Sequence, residues 1–252
     1  MSEFQLHTDL VYGLIAFSVI VFIALFFVVA PYGRHVRPGW GLMISTRLGW
    51  AVMESPSVVL FALVFALGDH AAEPMPLALG AMWLTHYVHR AFIYPFRLKD
   101  AKKPMPVAIT SMAIVFNHLN SYLNARWISH FGHYQTADLW SPHFILGVVG
   151  FAAGMGLNIR SDNILFSLRK PGEEGYRVPH GAGYRWVSSP NYLGELLEWA
   201  SWTLASWSLA GLSFFIFTWA NLVPRALANH RWYRKTFGDY PPARKAIIPY
   251  LL

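Results

Sequence analysis

The sequence predicts an all-α membrane protein with seven transmembrane helices, its N-terminus outside the membrane and its C-terminus in the cytoplasm. Three observations support this prediction. Hydrophobic residues make up 55% of the 252 residues and charged residues only 13%, too few to cover the surface of a soluble domain. Long stretches without a formal charge recur along the chain. Basic residues concentrate in the segments between alternate stretches.

The first predicted helix covers residues 10–31. Between Asp9 and Arg34 lie 24 residues without a formal charge, enough to cross about 30 Å of hydrocarbon. No Lys or Arg precedes Arg34, and no small-residue cleavage site follows the stretch. It is therefore interpreted as a retained span and not as a signal peptide.

Four further helices are predicted by stretches that carry at most one formal charge. They cover residues 48–68, 75–95, 104–125 and 141–160. Glu54 interrupts the first of these stretches and Arg90 lies near the end of the second. At 1.5 Å per residue, each is long enough to cross the hydrocarbon core.

Residues 190–224 form an apolar stretch of 35 residues that carries only Glu195 and Glu198. A single helix of this length would measure about 52 Å, too long for a bilayer. Both flanks are basic, so both are expected in the cytoplasm. A hairpin of two helices that turns near residues 209–211 satisfies both constraints. Its helices are residues 190–208 and 212–233.

The basic residues set the orientation. Of the 20 Lys and Arg residues, 18 fall in segments on one side of the predicted membrane; Arg90 lies in a span and Arg126 faces the other side. The positive charge therefore reports topology, and no nucleic-acid partner is expected. The absence of Cys excludes disulfides, thiolate metal sites and a Cys nucleophile. Residues 1–252 are interpreted as one integral-membrane domain, since no repeat or linker divides them.

Polar side chains repeat at helical spacing on five of the predicted helices. The stripes are Tyr87, Arg90 and Tyr94; Asn117, Asn120 and Asn124; Asn158 and Asp162; Asn191, Glu195 and Glu198; and Arg225, Asn229 and Tyr233. Polar groups inside a membrane are costly and are candidates for function. A single Asn is equally well explained as a hydrogen-bonding contact between helices. Five stripes together predict a polar cavity that opens to the cytoplasm.

Glu54 and Tyr87 are the candidate catalytic residues. Glu54 lies seven positions beyond Arg47, about 10 Å along the second helix, and Tyr87 lies three positions before Arg90. At these depths the two side chains can meet on adjacent helices. A buried carboxyl and a phenol can polarise a carbonyl oxygen or transfer a proton. The alternative is a purely structural Glu–Tyr hydrogen bond.

Short motifs exclude several chemistries. The chain has no GxGxxG after a strand, no GxxxxGK[ST] and no HExxH. Two HxxH pairs, at His86 and His89 and at His130 and His133, are too few for a di-iron centre, and no metal is predicted. Arginines in the basic loops have the geometry to bind the phosphates of a nucleotide, although most are explained by topology alone.

Several longer segments resemble the steroid 5-alpha-reductase family along nearly the full chain. They include MESPS at residues 53–57, HYVHRAFIYP at 86–95, LRKPGEEGYRVP at 168–179, NYLGE at 191–195 and DYPPARKAIIP at 239–249. The chain resembles a bacterial relative of the mammalian type 1 and type 2 enzymes. NYLGE alone is less specific, because membrane methyltransferases are similar there.

The resemblance implies NADPH-dependent reduction of the C4=C5 double bond of a 3-oxo-Δ4 steroid. Glu54 and Tyr87 would bind the 3-oxo group and stabilise the negative charge that hydride addition places on its oxygen. The expected substrate contacts are Trp50, Met53, Glu54 and Tyr87. Met53 stands where the type 1 and type 2 enzymes have Gln, which removes one polar contact near the carbonyl.

The resemblance also implies a set of residues that hold NADPH. They are Tyr32, Arg34, Lys103, Asn120, Asn158, Asp162, Arg169, Tyr176, Arg177, Asn191, Glu195, Arg225, Asn229 and Tyr233. Arg34 replaces a Lys of the family, Lys103 an Arg and Asn229 a His, so some cofactor contacts differ.

Two other enzyme classes and one non-catalytic class compete with this interpretation. A methyltransferase that uses S-adenosylmethionine and acts on isoprenylcysteine or phospholipid would share the C-terminal half, but it would not need Glu54 and Tyr87 together. A reductase of another lipid enone would keep the same chemistry. A transporter is disfavoured because no inverted repeat is visible.

The expected partners are a steroid or another apolar lipid substrate and the surrounding membrane lipid. No obligate protein partner is expected, and the chain is expected to act as a monomer. The expected location is the inner (cell) membrane of a bacterium, or the endoplasmic reticulum in a eukaryote. The cofactor site is expected to face the cytoplasm.

Overall fold

The computed structural model describes residues 1–98, 104–168 and 175–252, and in these ranges the chain is mostly helical, as predicted. The α-helices of these ranges are α1 (Glu3–Phe27), α2 (Thr46–Glu54), α3 (Pro56–Ala66), α4 (Pro74–Val88), α5 (Tyr94–Arg97), α6 (Val107–Arg126), α7 (Pro142–Ser167), α8 (Pro190–Ser206) and α9 (Leu209–Thr236). A π-helical turn, His89–Ile93, joins α4 to α5, and a second, Trp127–Phe131, extends α6. Short 3-10 turns occupy Gly33–His35, Thr136–Trp140 and Ala182–Arg185.

Two short strands, which the sequence did not predict, precede α2 and α6. Strand β1 (Met43–Ser45) pairs antiparallel with β2 (Pro104–Pro106), so that Ile44 lies opposite Met105. Each strand leads directly into a helix. The pair therefore sets the first turns of α2 and α6 side by side.

Three helical stretches are long and apolar enough to cross a membrane, among the residues that the structure describes. They are Glu3–Phe27, Thr46–Ala66 and Pro142–Ser167, with mean hydropathies of 2.8, 1.7 and 1.5. This finding is consistent with a membrane protein. The number of seven spans and the orientation of the termini stay predictions.

A proline marks the junction of α2 and α3. Pro56 has no N–H to donate to the carbonyl of Val52, one turn earlier. The Ser55 hydroxyl donates to that carbonyl at 3.0 Å, and the Ser55 backbone stays in the right-handed helical region. The helix therefore continues through the junction, with Glu54 at the point where α2 ends.

Helix ends differ from the predicted bounds where side chains cap the backbone. Helix α1 begins at Glu3 because the Ser2 hydroxyl accepts from the Gln5 N–H at 3.1 Å. The turn between α8 and α9 lies at Trp207, in the left-handed region (φ 45°, ψ 46°), and not at residues 209–211. Ser208 then caps α9 by accepting from the Gly211 N–H at 2.9 Å. Capping hydroxyls, and not hydropathy, determine these ends.

An aromatic core joins α3, α4 and α8. Trp83 is fully buried, stacks on Phe61 with centroids 4.7 Å apart, and packs 5.4 Å from Trp202 and 5.6 Å from Trp199. Its indole N–H donates to the Ser57 carbonyl at 2.8 Å. Buried aromatic pairs of this kind contribute about 0.5–1.5 kcal/mol each beyond their area. They hold α4 rigidly against its neighbours.

Helices α7 and α8 touch along their backbones. A Cβ on Gly154 would lie 2.6 Å from the Glu198 nitrogen and from the Gly194 oxygen, and one on Gly194 would lie 2.6 Å from the Asn158 nitrogen. Only glycine permits such an approach. It brings the polar residues of α7 within reach of those of α8.

Candidate functional site

One cavity of about 400 Å³ lies among α2, the α4–α5 segment, α7, α8, α9 and the loop after α1. Its volume is in the range of small-molecule sites in proteins. Thirteen of the predicted site residues line it. They are Tyr32, Arg34, Trp50, Met53, Glu54, Asn158, Asp162, Tyr176, Asn191, Glu195, Arg225, Asn229 and Tyr233.

Arg34 lies within an aromatic cluster that we call the aromatic rim, formed by Tyr176, Trp232 and Tyr233. The guanidinium carbon is 4.4 Å from the ring centroid of Tyr233, 4.9 Å from Trp232 and 5.5 Å from Tyr176. Its Nη1 is buried and has no hydrogen-bond partner among the residues that the structure describes. A buried donor without a partner is costly unless an acceptor reaches it. The rim therefore has the chemistry of an anion site.

Arg225 holds the segment that follows α1. Its guanidinium donates to the Ala30 carbonyl at 3.0 Å, to the Tyr32 carbonyl at 2.9 Å and to the Tyr192 hydroxyl at 3.2 Å. The guanidinium carbon also stacks 3.5 Å from the Tyr32 ring centroid. Burial raises the pKa of Tyr32 to about 12, although Arg225 acts to lower it. Three of the five Arg225 donors are thus engaged within the protein.

His35 and Asn229 connect the same loop to α9. The His35 Nε2 lies 3.0 Å from the Asn229 Oδ1. Burial lowers the pKa of His35 to about 4, the arginines Arg225, Arg34 and Arg37 act in the same direction, and the Asn229 hydrogen bond opposes them. His35 was not among the predicted site residues.

A carboxylate–amide network joins α7 to α8. Asn158 Nδ2 donates to the Asn191 carbonyl at 3.0 Å and to the Glu195 carboxylate at 3.5 Å. Asn191 Nδ2 donates to Asp162 Oδ1 at 3.0 Å. The close backbone approach of α7 and α8 makes these bonds possible. The structure thus brings four predicted cofactor residues together on one wall.

Arg90 is a cavity residue that the predicted set omitted. Its Nη1 lies 3.6 Å from Asp162 Oδ2, and its guanidinium carbon is 4.3 Å from the Tyr94 ring centroid and 4.8 Å from that of Trp50. The polar stripe Tyr87–Arg90–Tyr94 carried the signal for it. Other cavity residues outside the predicted set include Thr46, Tyr94, Tyr184, Ser188, Ser189 and Tyr192.

Glu54 borders the cavity at the end of α2. Both Thr46 and Glu54 line it, so the cavity follows α2 for about 12 Å. Asn117 Nδ2 donates to the Met53 carbonyl at 2.6 Å and approaches Glu54 Oε2 at 3.4 Å. We call Trp50, Met53 and Glu54 the Glu54 end of the cavity.

Tyr87 lies behind the Glu54 end and not on the cavity surface. It is 4% exposed, and its ring packs 4.8 Å from Trp83. It interacts electrostatically with Glu54, and Ser57 and Asn120 are hydrogen-bond neighbours of its hydroxyl. Both neighbours can donate to the phenol oxygen, so the Tyr87 proton can be donated to another acceptor.

Two predicted cofactor residues lie away from the cavity. Asn120 is fully buried beside Tyr87, and its Oδ1 accepts from Asn124 at 2.9 Å. Arg177 is exposed and does not line the cavity. Lys103 and Arg169 lie outside the described residues.

The helical architecture and a broad cavity bordered by arginines, amides and carboxylates define the chain as a helical membrane enzyme. Comparison with known proteins gives its family. Residues 103–252 match the family described as 3-oxo-5-alpha-steroid 4-dehydrogenase. The steroid 5-alpha-reductase DET2 of Solanum lycopersicum is 43% identical over 254 residues, which cover 99% of this chain and 98% of the relative.

A second plant relative and a mammalian one agree. The DET2 protein of Arabidopsis thaliana is 44% identical over 232 residues, covering 89% of this chain and 88% of the relative. The 3-oxo-5-alpha-steroid 4-dehydrogenase 1 of Homo sapiens is 42% identical over 227 residues, covering 87% and 85%. The chain therefore belongs to the 3-oxo-5-alpha-steroid 4-dehydrogenase family, whose members are oxidoreductases that act on CH–CH groups.

Proposed function

We propose that this protein reduces the C4=C5 double bond of a 3-oxo-Δ4 steroid inside the membrane, with NADPH as the reductant. The observation that carries this proposal is the continuity of one cavity between two chemically different regions. The aromatic rim offers an unpartnered guanidinium donor, and the Glu54 end offers a carboxyl beside Trp50 and Met53. A polar cofactor and an apolar substrate can therefore meet in one space.

The residues on the rim side fit a dinucleotide phosphate. Arg34 presents a buried Nη1 donor without a partner, which suits a phosphate oxygen. The rings of Tyr176 and Tyr233 present flat faces beside it. Asn158, Asn191, Asp162 and Glu195 supply donors and acceptors for hydroxyl and amide groups.

NADPH, when bound, supplies the hydride that is added to C5. Tyr87 and a protonated Glu54 are proposed to donate hydrogen bonds to the 3-oxo oxygen, where negative charge develops as C5 is reduced. Such donors stabilise a developing oxyanion strongly in a site that excludes water. The burial of Tyr87 and its aromatic neighbours supports that exclusion. The enolate then takes up one proton at C4, which comes ultimately from solvent, and becomes the saturated 3-ketone.

We propose seven spans, an outside N-terminus and a cofactor site that faces the cytoplasm. The distribution of the Lys and Arg residues supports this topology. A charged cofactor would then enter from water, while the steroid would enter from lipid. We propose the monomer as the active unit, with membrane lipid around it.

Turnover by the purified protein tests the proposal. NADPH oxidation is followed with progesterone or testosterone, and the product is identified by mass. We expect consumption of NADPH with formation of a product heavier by two hydrogen atoms. A steroid already saturated between C4 and C5 is the matched control and should leave NADPH unchanged.

The same preparation separates the competing enzyme classes. Retention of S-adenosylmethionine, with no NADPH bound and no steroid reduced, would replace the proposal with a methyltransferase. Reduction of an apolar enone other than a steroid would keep the reaction and change the substrate.

A further inference from the structure

A buried His–Glu pair lies behind the cavity and is not among the residues proposed to bind the steroid or the cofactor. His86 Nδ1–H donates to Glu198 Oε1 at 2.6 Å, and the two side chains are 5% and 0% exposed. Neither residue lines the cavity. The pair joins α4 to α8 directly behind the Glu54 end.

Stability alone does not account for this pair. The second carboxylate oxygen of Glu198 is buried and has no hydrogen-bond partner within the described ranges of the chain. Burying a carboxylate costs desolvation energy that one hydrogen bond only partly returns, and apolar residues of similar size usually serve stability as well. A buried polar group that is left incompletely satisfied calls for another explanation.

The pair contacts Tyr87 through its imidazole ring. The His86 ring lies 4.9 Å from the Tyr87 ring and 4.5 Å from Trp199, both edge to face. Trp199 lies 5.6 Å from Tyr87. His86 and Trp199 thus enclose the Tyr87 ring from the α8 side. Glu198 is hydrogen-bonded to His86 and directly precedes Trp199 on α8. It is therefore connected to both residues that enclose the Tyr87 ring.

Several titratable or charged groups surround this enclosure. They are Glu54 from α2, His89 and Arg90 from the α4–α5 segment, and Glu195 and Glu198 from α8. His86 interacts electrostatically with Glu54, and its ring packs against Tyr87. The pair is therefore close to both residues proposed to bind the carbonyl.

We propose that His86 and Glu198 are positioning residues for carbonyl reduction. Glu198 fixes the ring orientation and the Nδ1–H tautomer of His86. The fixed imidazole holds the Tyr87 ring so that its hydroxyl stays available to the 3-oxo oxygen next to Glu54. This inference rests on the proposed function, because it assigns the pair a role in that reaction.

Glu198→Gln tests the inference, because Gln keeps the volume and a hydrogen bond to His86 but removes the charge. We expect kcat to fall about tenfold, as is usual when the group that orients a catalytic residue is lost. KM for NADPH and for the steroid should stay within about twofold, because neither residue lines the cavity. The thermal unfolding temperature should be equal or higher.

A double substitution distinguishes positioning from a merely structural role. His86→Gln should also lower kcat, with KM for NADPH and for the steroid unchanged. Adding Glu198→Gln to His86→Gln should cause no further loss, because the two residues act through one hydrogen bond.

Thr203→Val is the control on the same helix, since the Thr203 hydroxyl only donates to the Trp199 carbonyl at 3.0 Å. It should leave kcat and KM unchanged. Unchanged kcat in Glu198→Gln would overturn the inference, as would loss of folded protein in both pair variants. Each variant is compared with active unmodified protein, so failure of the proposed function appears in the unmodified protein itself.

Discussion

The proposed reaction depends most directly on two groups, Glu54 at the Glu54 end of the cavity and Tyr87 behind it. Tyr87→Phe removes one hydroxyl and leaves the ring packing against Trp83 intact. Loss of one donor to a developing oxyanion costs about 10²–10³ in kcat. We expect that fall with NADPH affinity close to wild type, measured by steady-state kinetics and by cofactor binding.

Glu54→Gln and a second tyrosine serve as comparisons. Gln keeps a donor and the volume of Glu54, so Glu54→Gln should be milder than Glu54→Ala. Tyr134 donates to the Ser206 carbonyl at 2.7 Å and does not line the cavity. Tyr134→Phe should therefore retain turnover. Normal turnover in Tyr87→Phe would remove Tyr87 from the proposed mechanism.

Arg34 is expected to select NADPH over NADH. The extra 2′-phosphate of NADPH needs a positive partner. Arg34 Nη1 is a buried, positively charged donor with no acceptor among the described residues. Loss of charge-assisted hydrogen bonds should weaken NADPH binding about 10- to 100-fold and NADH binding much less. Fluorescence titration with both cofactors measures the difference. Arg169, outside the described residues, is the second candidate.

Arg37→Ala is the matched control, because Arg37 is exposed in the same loop and stacks 5.7 Å from Trp40. It should leave the NADPH-to-NADH ratio unchanged. Equal losses for both cofactors in Arg34→Ala would assign Arg34 to the pyrophosphate or to the packing of the rim.

His35 should make the loop after α1 sensitive to acid. Its pKa is lowered to about 4 in the folded protein by burial and by neighbouring arginines, compared with 6.5 ordinarily. Between about pH 6.5 and pH 4, His35 therefore binds a proton in the unfolded chain but not in the folded chain. The His35 contribution to stability is complete above about pH 6.5 and is lost as the pH falls toward 4.

Thermal unfolding in detergent between pH 7.5 and 4.5 checks this prediction. The unfolding temperature of His35→Gln should fall less with acidification than that of the wild type. His118, exposed on α6, provides the control substitution His118→Gln, which should keep the wild-type slope. Identical slopes in all three proteins would contradict the assignment to His35.

Residue spacing predicted much of the candidate site, and its failures have a common cause. The spacing of Tyr87, Arg90 and Tyr94 shows that they share a helix face, but not which neighbour covers each one. The structure buries Tyr87 and leaves Arg90 and Tyr94 on the cavity. Spacing likewise could not show that Arg225 donates two hydrogen bonds to the loop after α1 and one to Tyr192 on α8.

At the scale of elements, the close contact of α7 and α8 positions most of one cavity wall. A methyl group on Gly154 would lie 2.6 Å from the Glu198 nitrogen. Overpacking of this kind costs typically about 1–3 kcal/mol. We expect Gly154→Ala to lower the unfolding temperature and to lower turnover, because the bonds of Asn158 to α8 would shift.

Gly156 is the control on the same helix, since a Cβ there meets nothing within 4 Å. Gly156→Ala should be neutral or slightly stabilising, because alanine favours a helix over glycine. Equal unfolding temperatures for Gly154→Ala and Gly156→Ala would show that α7 and α8 can move apart without loss of stability.

Hydropathy predicted where helical segments occur better than where they end. The charge-free stretch at residues 104–125 corresponds to α6, whereas α9 continues to Thr236 through a basic last turn. Charged residues lie outside lipid but not outside a helix, so hydropathy cannot locate that end. The hydroxyl caps at Ser2 and Ser208 are equally invisible to it.

At the scale of the whole molecule, topology is the main prediction. The Lys and Arg distribution places the C-terminus in the cytoplasm and the N-terminus outside. Reporters fused at each end should give opposite signals, a cytoplasmic one at the C-terminus. A cytoplasmic N-terminus would mean an even number of spans, and the α8–α9 hairpin would need revision first.

The hydrogen bonds that Arg225 donates to the loop after α1 affect how cofactor preference can change within the family. Two of its hydrogen bonds go to main-chain oxygens, those of Ala30 and Tyr32. Every amino acid carries such an oxygen, so the path of the loop does not depend on which side chains it bears. A different residue at position 34 can then change which cofactor the loop binds, while the backbone of the loop keeps the same path. A new cofactor preference would need no new architecture.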